Sequence, residues 1–326
     1  MTLANVLDEM ERRPTATMAG ILVYLALTIP THDLVQLLFG AYRDAVGLRP
    51  YHLSVLLAAA AIGAAVAWPV LRGGGLRLWR EWSFVAALTV GAYILCIAVS
   101  SEVVHFFQYA ILAVPLYALT RCALDTVAIA AILGAIDEGY QFLVLNPTWA
   151  IYFDYNDVLI DAIGAGLGVL WLLSALDYGA TSRGKGVIRV AAHTIVRSPA
   201  VWAMVAIAIT VVILLGAGIF VVDGLEHDAG FYMALNRDEV RESFWVDEHW
   251  AGKPFHVLRP IPGTALILLS ILPFAALGVQ GQGTSGRGRR NRVAVAAMAL
   301  SLWVVAAVVF PPVGERVAES QIARDG

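Results

Sequence analysis

Acidic, imidazole, phenol and amide side chains recur at helical spacing in three neighbouring hydrophobic segments. Nine residues make up this polar set: Glu102, His105 and Tyr109 on the first segment, Asp137, Glu138 and Gln141 on the second, and Asp154, Asp157 and Asp161 on the third. A carboxylate inside hydrocarbon costs about 2.5–3.5 kcal/mol even on lenient insertion scales, so such a set persists only when its members are paired, hydrated or bound to something. The set therefore predicts a site.

The charge balance of the polar set limits its chemistry. It contains six carboxyl groups, and His105 is its single potential cation. Since like charges at short range raise pKa values, either some acids stay protonated or a cation neutralises them. One such cation is a divalent metal ion, because oxygen ligands with one imidazole suit Mg, Mn, Ca or Zn. The alternative is a polar clasp in which protonated acids hydrogen-bond with His105, Tyr109 and Gln141 across the helices.

The sequence leaves open whether the site catalyses a reaction. For catalysis, Asp137 or Glu138 with a raised pKa is the candidate acid or base, and His105 is its partner. The other six residues are then ligand-binding candidates: Glu102, Tyr109, Gln141, Asp154, Asp157 and Asp161. A phosphate ligand normally requires Arg, Lys or a metal, and the set has neither Arg nor Lys, so a lipid-phosphate enzyme requires the metal.

The elements that position this set are membrane-spanning helices. Hydrophobic residues make up 59% of the 326-residue chain, charged residues 14%, and the mean hydropathy is +0.73, values too apolar for a soluble domain. We expect an all-α, polytopic bundle of eight or nine spans. These lie near 18–40, 51–71, 83–100, 103–120, 122–144, 157–176, 200–222, 262–280 and 293–313. The first is the weakest, because Pro30, His32 and Asp33 interrupt it, and it is alternatively re-entrant or interfacial.

Basic residues in the short loops predict a cytoplasmic N-terminus. The polar set then faces the outer leaflet of a bacterial inner membrane, and the C-terminus is extracytoplasmic. Asp8, Glu9 and Glu11 precede Arg12 and Arg13, which is not the pattern of a cleaved export signal.

Four regions organise the chain. N-terminal spans occupy 1–79, a core with the polar set occupies 80–177, a basic linker occupies 178–199, and three spans with a long extracytoplasmic loop at 223–261 occupy 200–326. We find no internal repeat, so an inverted-repeat transporter has no support from the sequence.

The polar set resembles the motifs of the VanZ-like family of membrane proteins. The segment from His105 to Tyr109 is similar to that family's His-x-x-x-Tyr, the segment from Asp137 to Gln141 to its Asp-Glu-x-x-Gln, and the segment from Asp154 to Gly164 to its Asp-x-x-Asp-x-x-x-Asn-x-x-Gly. The order agrees, over about residues 80–176. Two departures make this chain more acidic. Asn146-Pro147-Thr148 replaces the family's Pro-Gly-Arg, and Asp161 stands where the family has Asn.

The resemblance implies a location more than a reaction. The namesake is associated with lowered susceptibility to the glycopeptide antibiotic teicoplanin, and the family has no settled chemistry. We therefore expect a cell-envelope role that involves an amphiphilic, cell-wall-related or glycopeptide-like ligand.

Several other features favour structural roles. Gly164 and Gly168 lie on the stripe that carries Asp157 and Asp161, where we expect close helix packing. The four-residue spacing of Arg121 and Asp125 predicts a helix-end salt bridge. Cys96 and Cys122 lie in or beside apolar spans, and we assign them no role.

Two loops carry weaker signals. The loop 223–261 contains His227, His249 and His256, whose spacing fits no particular zinc pattern, and Asn236-x-x-Glu239 predicts a short capped helix. The basic segment 281–292 is typical of an orientation anchor near anionic lipid, and nucleic acid is not an expected partner.

Three functional classes remain. The first is a VanZ-like envelope protein that binds an amphiphile at its outer face. The second is a cation- or proton-coupled transporter, or, with a metal, a membrane enzyme. The third is a structural subunit that packs against other membrane subunits through the Ala- and Gly-rich helices 51–71 and 200–222. The lipid bilayer is a partner in every case.

Overall fold

The computed structural model is a bundle of helices around a central group of three. It describes residues 2–72, 78–145, 152–176, 187–218, 220–223, 233–236, 244–246, 251, 253–277 and 286–309. The helices are α1 (Leu3–Arg12), α2 (Pro14–Thr28), α3 (His32–Val46), α4 (Leu48–Arg72), α5 (Trp79–Leu95), α6 (Val104–Thr120), α7 (Ala123–Tyr140), α8 (Tyr155–Ala175), α9 (Val187–Val196), α10 (Pro199–Gly216), α11 (Pro260–Ile271) and α12 (Gly286–Val309).

Short irregular turns extend three of these helices. A 3₁₀ turn at Ser100–Val103 precedes α6, a π-helical turn at Gln141–Leu145 continues α7, and a 3₁₀ segment at Leu272–Leu277 follows α11. With these extensions, the part of the chain that the structure describes has five helices that are long and apolar enough to cross a membrane: Ser100–Thr120, Ala123–Leu145, Tyr155–Ala175, Pro199–Gly216 and Pro260–Leu277. The chain is therefore a multi-pass, helical membrane protein, as the composition predicts.

The helices α6, α7 and α8 form the core. In the most hydrophobic stretch of α7 and α8, 78% and 83% of the residues are buried inside the protein, against 11% for α10. A helix that is apolar on all sides must bury those sides against protein or lipid. The central three helices therefore meet mainly other helices, whereas α10 presents most of its surface to the surroundings.

Local signals set several helix ends. Ser198 caps α10 by accepting a hydrogen bond from the Val201 amide at 3.0 Å, and Pro199 follows at the first helical position. The segment predicted near 18–40 is not one helix, since α2 ends at Thr28 and α3 begins at His32. The interruption expected around Pro30 is thus confirmed.

The loop region contains a small sheet that the sequence did not predict. Strand β1 (Phe220–Asp223) pairs in parallel with β2 (Met233–Asn236). Asn236 ends β2, and the rest of the predicted capped helix lies mostly outside the described residues. His227, His249 and residues 281–285 of the basic segment also lie outside the described residues. Within the basic linker, α9 is described from Val187 onward.

Candidate ligand-binding site at the acid end

The polar set converges at one end of the central three helices. This end, called here the acid end, is where α6 and α8 begin and α7 finishes. Because consecutive helices joined by short connections run antiparallel, residues at these three termini become neighbours. The opposite end, where α6 finishes and α7 begins, is called the arginine end.

His105 joins α6 to α8 through both of its ring nitrogens. Nδ1 lies 2.9 Å from Oδ1 of Asp161, and Nε2 lies 3.7 Å from Oδ2 of Asp157. His105 and Asp161 are 6% and 1% exposed, so this contact is shielded from solvent. The sequence paired His105 with Asp137 or Glu138 of α7, whereas its ring nitrogens face the aspartates of α8.

Asp137 forms a second polar junction, between α6 and α7. The Tyr109 hydroxyl donates to its Oδ2 at 3.4 Å, and the Gln141 amide donates to its Oδ1 at 3.3 Å. Gln141 is one helical turn beyond Asp137, which is why the two side chains share a face. These contacts are the kind that the polar-clasp alternative predicts.

The remaining acids are held by backbone amides. Glu138 accepts from the Asp154 amide at 3.0 Å, and Glu102 accepts from the Ala98 amide at 2.8 Å. Asp154 caps α8 by accepting from the Asn156 amide at 2.8 Å. A helix N-terminus and backbone amides stabilise carboxylates, so the acids are oriented even where no basic residue contacts them.

A cavity of about 580 Å³ opens beside these groups. One part of its lining is polar and carries Glu102, His105, Glu138, Gln141, Asp154 and Asp157. Another part, called here the α3–α4 wall, comes from α3 and α4. It carries the apolar and aromatic residues Val35, Phe39, Leu48 and Tyr51, together with Gln36, Arg43 and His52. Asp137 and Asp161 are not among the lining residues. They lie behind the polar wall.

The cavity raises the pKa of the titratable groups at its mouth. Burial, followed by the nearby Asp157 carboxylate, raises the pKa of Asp154 to about 8, although two backbone amides act in the opposite direction. Burial and the neighbouring acids also raise the pKa of the Tyr152 phenol.

Glycines bring α6 and α8 close enough for His105 to reach its aspartates. A Cβ atom on Gly164 would lie 2.6 Å from the Phe106 carbonyl oxygen, and one on Gly168 would collide with the backbone of Ala110. On the other side, a Cβ on Gly134 of α7 would lie 2.5 Å from Oδ2 of Asp161. The packing role expected for Gly164 and Gly168 is confirmed.

Several residues that frame the site were not predicted from the sequence. Asn156 is 2% exposed and ties three segments together, since its amide donates to the carbonyls of Cys96 and His256 and its oxygen accepts from the Leu258 amide. His256 stacks on Phe244 with ring centroids 4.0 Å apart. Asn156 lies within the Asp154–Asp157 motif. A polar residue in an apolar helix is usually hydrogen-bonded when it is buried, and this was the signal in the sequence that could have identified it.

The α3–α4 wall was also missed. Its residues come from segments that are distant along the chain from the polar set, and only the tertiary fold brings them to the cavity. Phe39 and Tyr51 contact each other edge to face at 6.3 Å, and Nδ1 of His52 lies 2.6 Å from the Ser100 hydroxyl oxygen.

The arginine end corrects one sequence-based expectation. Arg121 does not pair with Asp125. It donates to Asp8 at 2.6 Å and to Glu11 at 3.1 Å, both on α1. Arg121 has a left-handed backbone, φ 48°, at the end of α6, so it and Asp125 do not share a helix and the four-residue spacing has no helical meaning.

Asp125 is instead neutralised by Arg292 of α12. The guanidinium Nε donates to Oδ2 of Asp125 at 2.5 Å, and the Ser198 hydroxyl donates to Oδ1. Asp125 is fully buried and Arg292 is 6% exposed. The sequence predicted a lipid-facing anchor for the segment that contains Arg292. Because Arg292 is buried against Asp125, it does not have that role.

The described residues contain no group of three or more His, Cys, Asp or Glu side chains arranged to hold a metal ion. Cys96 and Cys122 are buried and free. In the part of the chain that the structure covers, the geometry gives a cation-attracting surface and not a preformed metal centre.

Comparisons with known proteins add no family. No protein-family model matches the chain, and neither a curated protein nor a solved structure matches it.

Proposed function

We propose that the chain is a VanZ-like protein of a bacterial inner membrane that binds an amphiphilic molecule with a positively charged group at its extracytoplasmic face. The observation that carries this proposal is the contrast between the two cavity walls. Carboxyl groups cover one wall, and aliphatic and aromatic side chains cover most of the other. A ligand that matches both walls has a cationic end and an apolar body.

The charge of the site supports a cationic ligand. Four arginines pair with acids outside the polar set. These arginines are Arg13, Arg43, Arg121 and Arg292, and their partners are Asp8, Glu9, Glu11, Asp44 and Asp125. Charge-assisted hydrogen bonds to an ammonium group contribute more than neutral ones. Aromatic rings on the α3–α4 wall, such as those of Phe39 and Tyr51, favour a cation further.

The position of α3 supports an amphiphile that enters from lipid. Val35 and Phe39 line the cavity, whereas Leu34, Leu37 and Leu38 on the same helix are 53–68% exposed. On this proposal, α3 lies between the cavity and the lipid. A ligand with an acyl chain, of which teicoplanin-type glycopeptides are one class, can therefore bind with its charged group in the cavity and its chain beside α3.

The proposal also includes the number of membrane spans and the orientation of the chain. We propose eight or nine spans, with the N-terminus in the cytoplasm, because α2 and α4 add shorter apolar helices to the five long ones. Since basic loops mark the cytoplasmic side, the acid end then faces outward.

The alternatives have weaker support. Coupled cation or proton transport requires a path through the protein, yet Asp125 at the arginine end is occupied by Arg292 and Ser198. A metal-dependent enzyme requires a ligand group that the described residues do not form. A role as a subunit of a larger assembly is favoured by one observation, the extensive exposure of α10.

Binding of matched amphiphiles to the purified protein in nanodiscs tests the proposal. Octylammonium, octyl glucoside and octyl sulfate share a chain and differ in charge. We expect octylammonium to bind most tightly and the E102Q/E138Q/D157N variant to lose at least tenfold in affinity, since each charge-assisted contact contributes about 1.5–3 kcal/mol. The control variant is E9Q, whose side chain pairs with Arg13 at the surface. Equal binding of the three probes, or unchanged affinity in the triple variant, would contradict the proposal.

A separate arm addresses the natural class of ligand. A deletion strain complemented with the wild-type gene or the triple variant is profiled for susceptibility to glycopeptides and to cationic envelope-active compounds. We expect complementation by the wild type and by E9Q, and none by the triple variant.

A further inference from the structure

We infer that a cationic group bound in the cavity displaces one proton from the junction of His105, Asp157 and Asp161. The junction would then exchange a proton for the ligand's charge. This inference rests on the proposed function, because the bound cation drives the exchange.

Both ring nitrogens of His105 face carboxyl oxygens. Nδ1 lies 2.9 Å from an oxygen of Asp161, and Nε2 lies 3.7 Å from an oxygen of Asp157. A neutral imidazole has one N–H and one lone pair, so beside two ionised carboxylates one of its nitrogens would direct a lone pair at a negatively charged oxygen. The imidazolium suits both contacts, because each nitrogen then carries a hydrogen, in a hydrogen bond to Asp161 and in a longer electrostatic contact with Asp157.

The two contacts differ in a way that selects which proton leaves. The Asp161 contact is short, and the side chain of Asp161 is 2% exposed; the Asp157 contact is long, and the side chain of Asp157 is 15% exposed. Asp157 also lines the cavity, whereas Asp161 does not. The Nδ1 hydrogen is therefore fixed in the interior, and the Nε2 hydrogen lies on the side that a ligand reaches.

Several acidic side chains lie around the imidazole. Asp137, Asp157 and Asp161 are close enough to interact with its charge. The other titratable and charged side chains of this region lie beside those aspartates or line the cavity: Glu102 before α6, Tyr109 of α6, Glu138 of α7, Asp154 at the start of α8, Tyr24 of α2, Arg43 of α3, His52 of α4 and Tyr152. Acids outnumber bases in this group. An ammonium ion at the Asp157 wall replaces the positive charge that these acids require.

The exchange balances in atoms and charge. The Nε2–H bond breaks, its electron pair stays on Nε2, and the proton passes to the Asp157 carboxylate or to water in the cavity and then to solvent. The ligand's cation takes over the contact with Asp157. The Nδ1 hydrogen continues to donate to Asp161, so the neutral tautomer is defined and the net change is one cation bound and one proton released.

Asp154 also lines the cavity, and burial, followed by the nearby Asp157, raises its pKa to about 8. A bound cation lowers the proton occupancy of any neighbouring acid, so Asp154 can also release a proton when the ligand binds. The test therefore needs one variant at His105 and one at Asp154.

Calorimetric titration of octylammonium into the nanodisc-embedded protein at pH 7, in phosphate and in Tris, measures binding and proton release together. The two buffers take up protons with different enthalpies, so the difference between them gives the number of protons released. We expect H105Q to bind octylammonium and to release about one proton fewer than the wild type. The glutamine amide still reaches Asp161, which keeps the local geometry. D154N is the matched control and should retain the His105-dependent release.

The possible outcomes distinguish failure of the proton-release inference from failure of the proposed function. Equal proton release by the wild type and H105Q, with binding intact, overturns the inference and leaves the proposed function standing. No octylammonium binding by the wild type overturns both. If H105Q does not fold, ¹⁵N spectra of histidine-labelled wild-type protein provide the measurement. We expect one buried imidazole of the seven histidines to change from doubly to singly protonated on titration. An unchanged spectrum in the presence of saturating ligand overturns the inference.

Discussion

Buried carboxylates occur at both ends of the central helices, and the protein treats them differently. At the arginine end, Asp125 is matched by Arg292 and Ser198, and Arg121 is matched by Asp8 and Glu11. At the acid end, carboxyl groups are held by backbone amides, by one histidine and by uncharged partners. Buried charges that pair with opposite charges stabilise one arrangement, whereas acids that line a cavity are within reach of a ligand. The same residue type therefore has a structural role at one end and a binding role at the other.

Removing one acid from each end should destabilise the protein by very different amounts, and this is the largest expected effect. D125A leaves Arg292 buried without its partner, which typically costs about 3–5 kcal/mol. E138Q removes one of several like charges and keeps an oxygen that accepts from the Asp154 amide, so we expect a change in stability of less than about 1 kcal/mol. Denaturant unfolding in mild detergent measures both. The double variant D125A/R292M should regain most of the loss, and comparable destabilisation by D125A and E138Q would break the comparison.

The acid end should depend on Asn156 for its shape. Replacing Asn156 with Leu leaves the carbonyls of Cys96 and His256 and the Leu258 amide without their partner. Because each unsatisfied buried polar group costs about 1–3 kcal/mol, we expect at least about 2 kcal/mol of destabilisation and faster hydrogen exchange at Leu258. N5L provides a control at an exposed position on α1. If exchange at Leu258 is unaffected, the side chain of Asn156 does not hold this segment.

The contact between α6 and α8 links the two ends, and Gly164 tests it. G164A places a methyl group 2.6 Å from the Phe106 carbonyl, so we expect a loss of about 1–3 kcal/mol and weaker octylammonium binding as His105 moves from Asp161. The matched control is G91A, because nothing lies within 4 Å of the corresponding position and alanine favours a helix by about 0.5–1 kcal/mol. A neutral G164A would show that the close approach is not needed.

The smallest effect concerns pH. The pKa of Asp154 is raised from 3.8 to about 8, so its protonated form stabilises the fold below pH 3.8 and that contribution is lost as the pH rises through 8. We expect the Tm to fall over this interval by a margin on the order of 2–4 °C that D154N removes. Thermal unfolding followed by circular dichroism from pH 4 to pH 9 measures it. A profile that is the same in D154N would show that other acids carry the pH dependence.

Much of the acid end was predictable because helical periodicity alone places its residues. The spacing of Asp137 and Gln141, and of Asp157, Asp161 and Gly164, fixes which side chains share a face. Periodicity does not give the rotation of one helix against another. The contacts of the His105 ring nitrogens with Asp157 and Asp161 were therefore visible only in the structure, where α6 packs on the glycines of α8. The family resemblance and its implied ligand stay predictions.

The sequence by itself determined that this is a helical, multi-pass membrane protein and that its acids belong at one end of three helices, because hydropathy and the 3.6-residue period are local properties. Only the tertiary structure decided which charges neutralise one another. Arg292 is 167 residues from Asp125, and α3 and α4 reach the cavity from far along the chain. Pairing between distant segments depends on how the helices pack, and local sequence does not specify that.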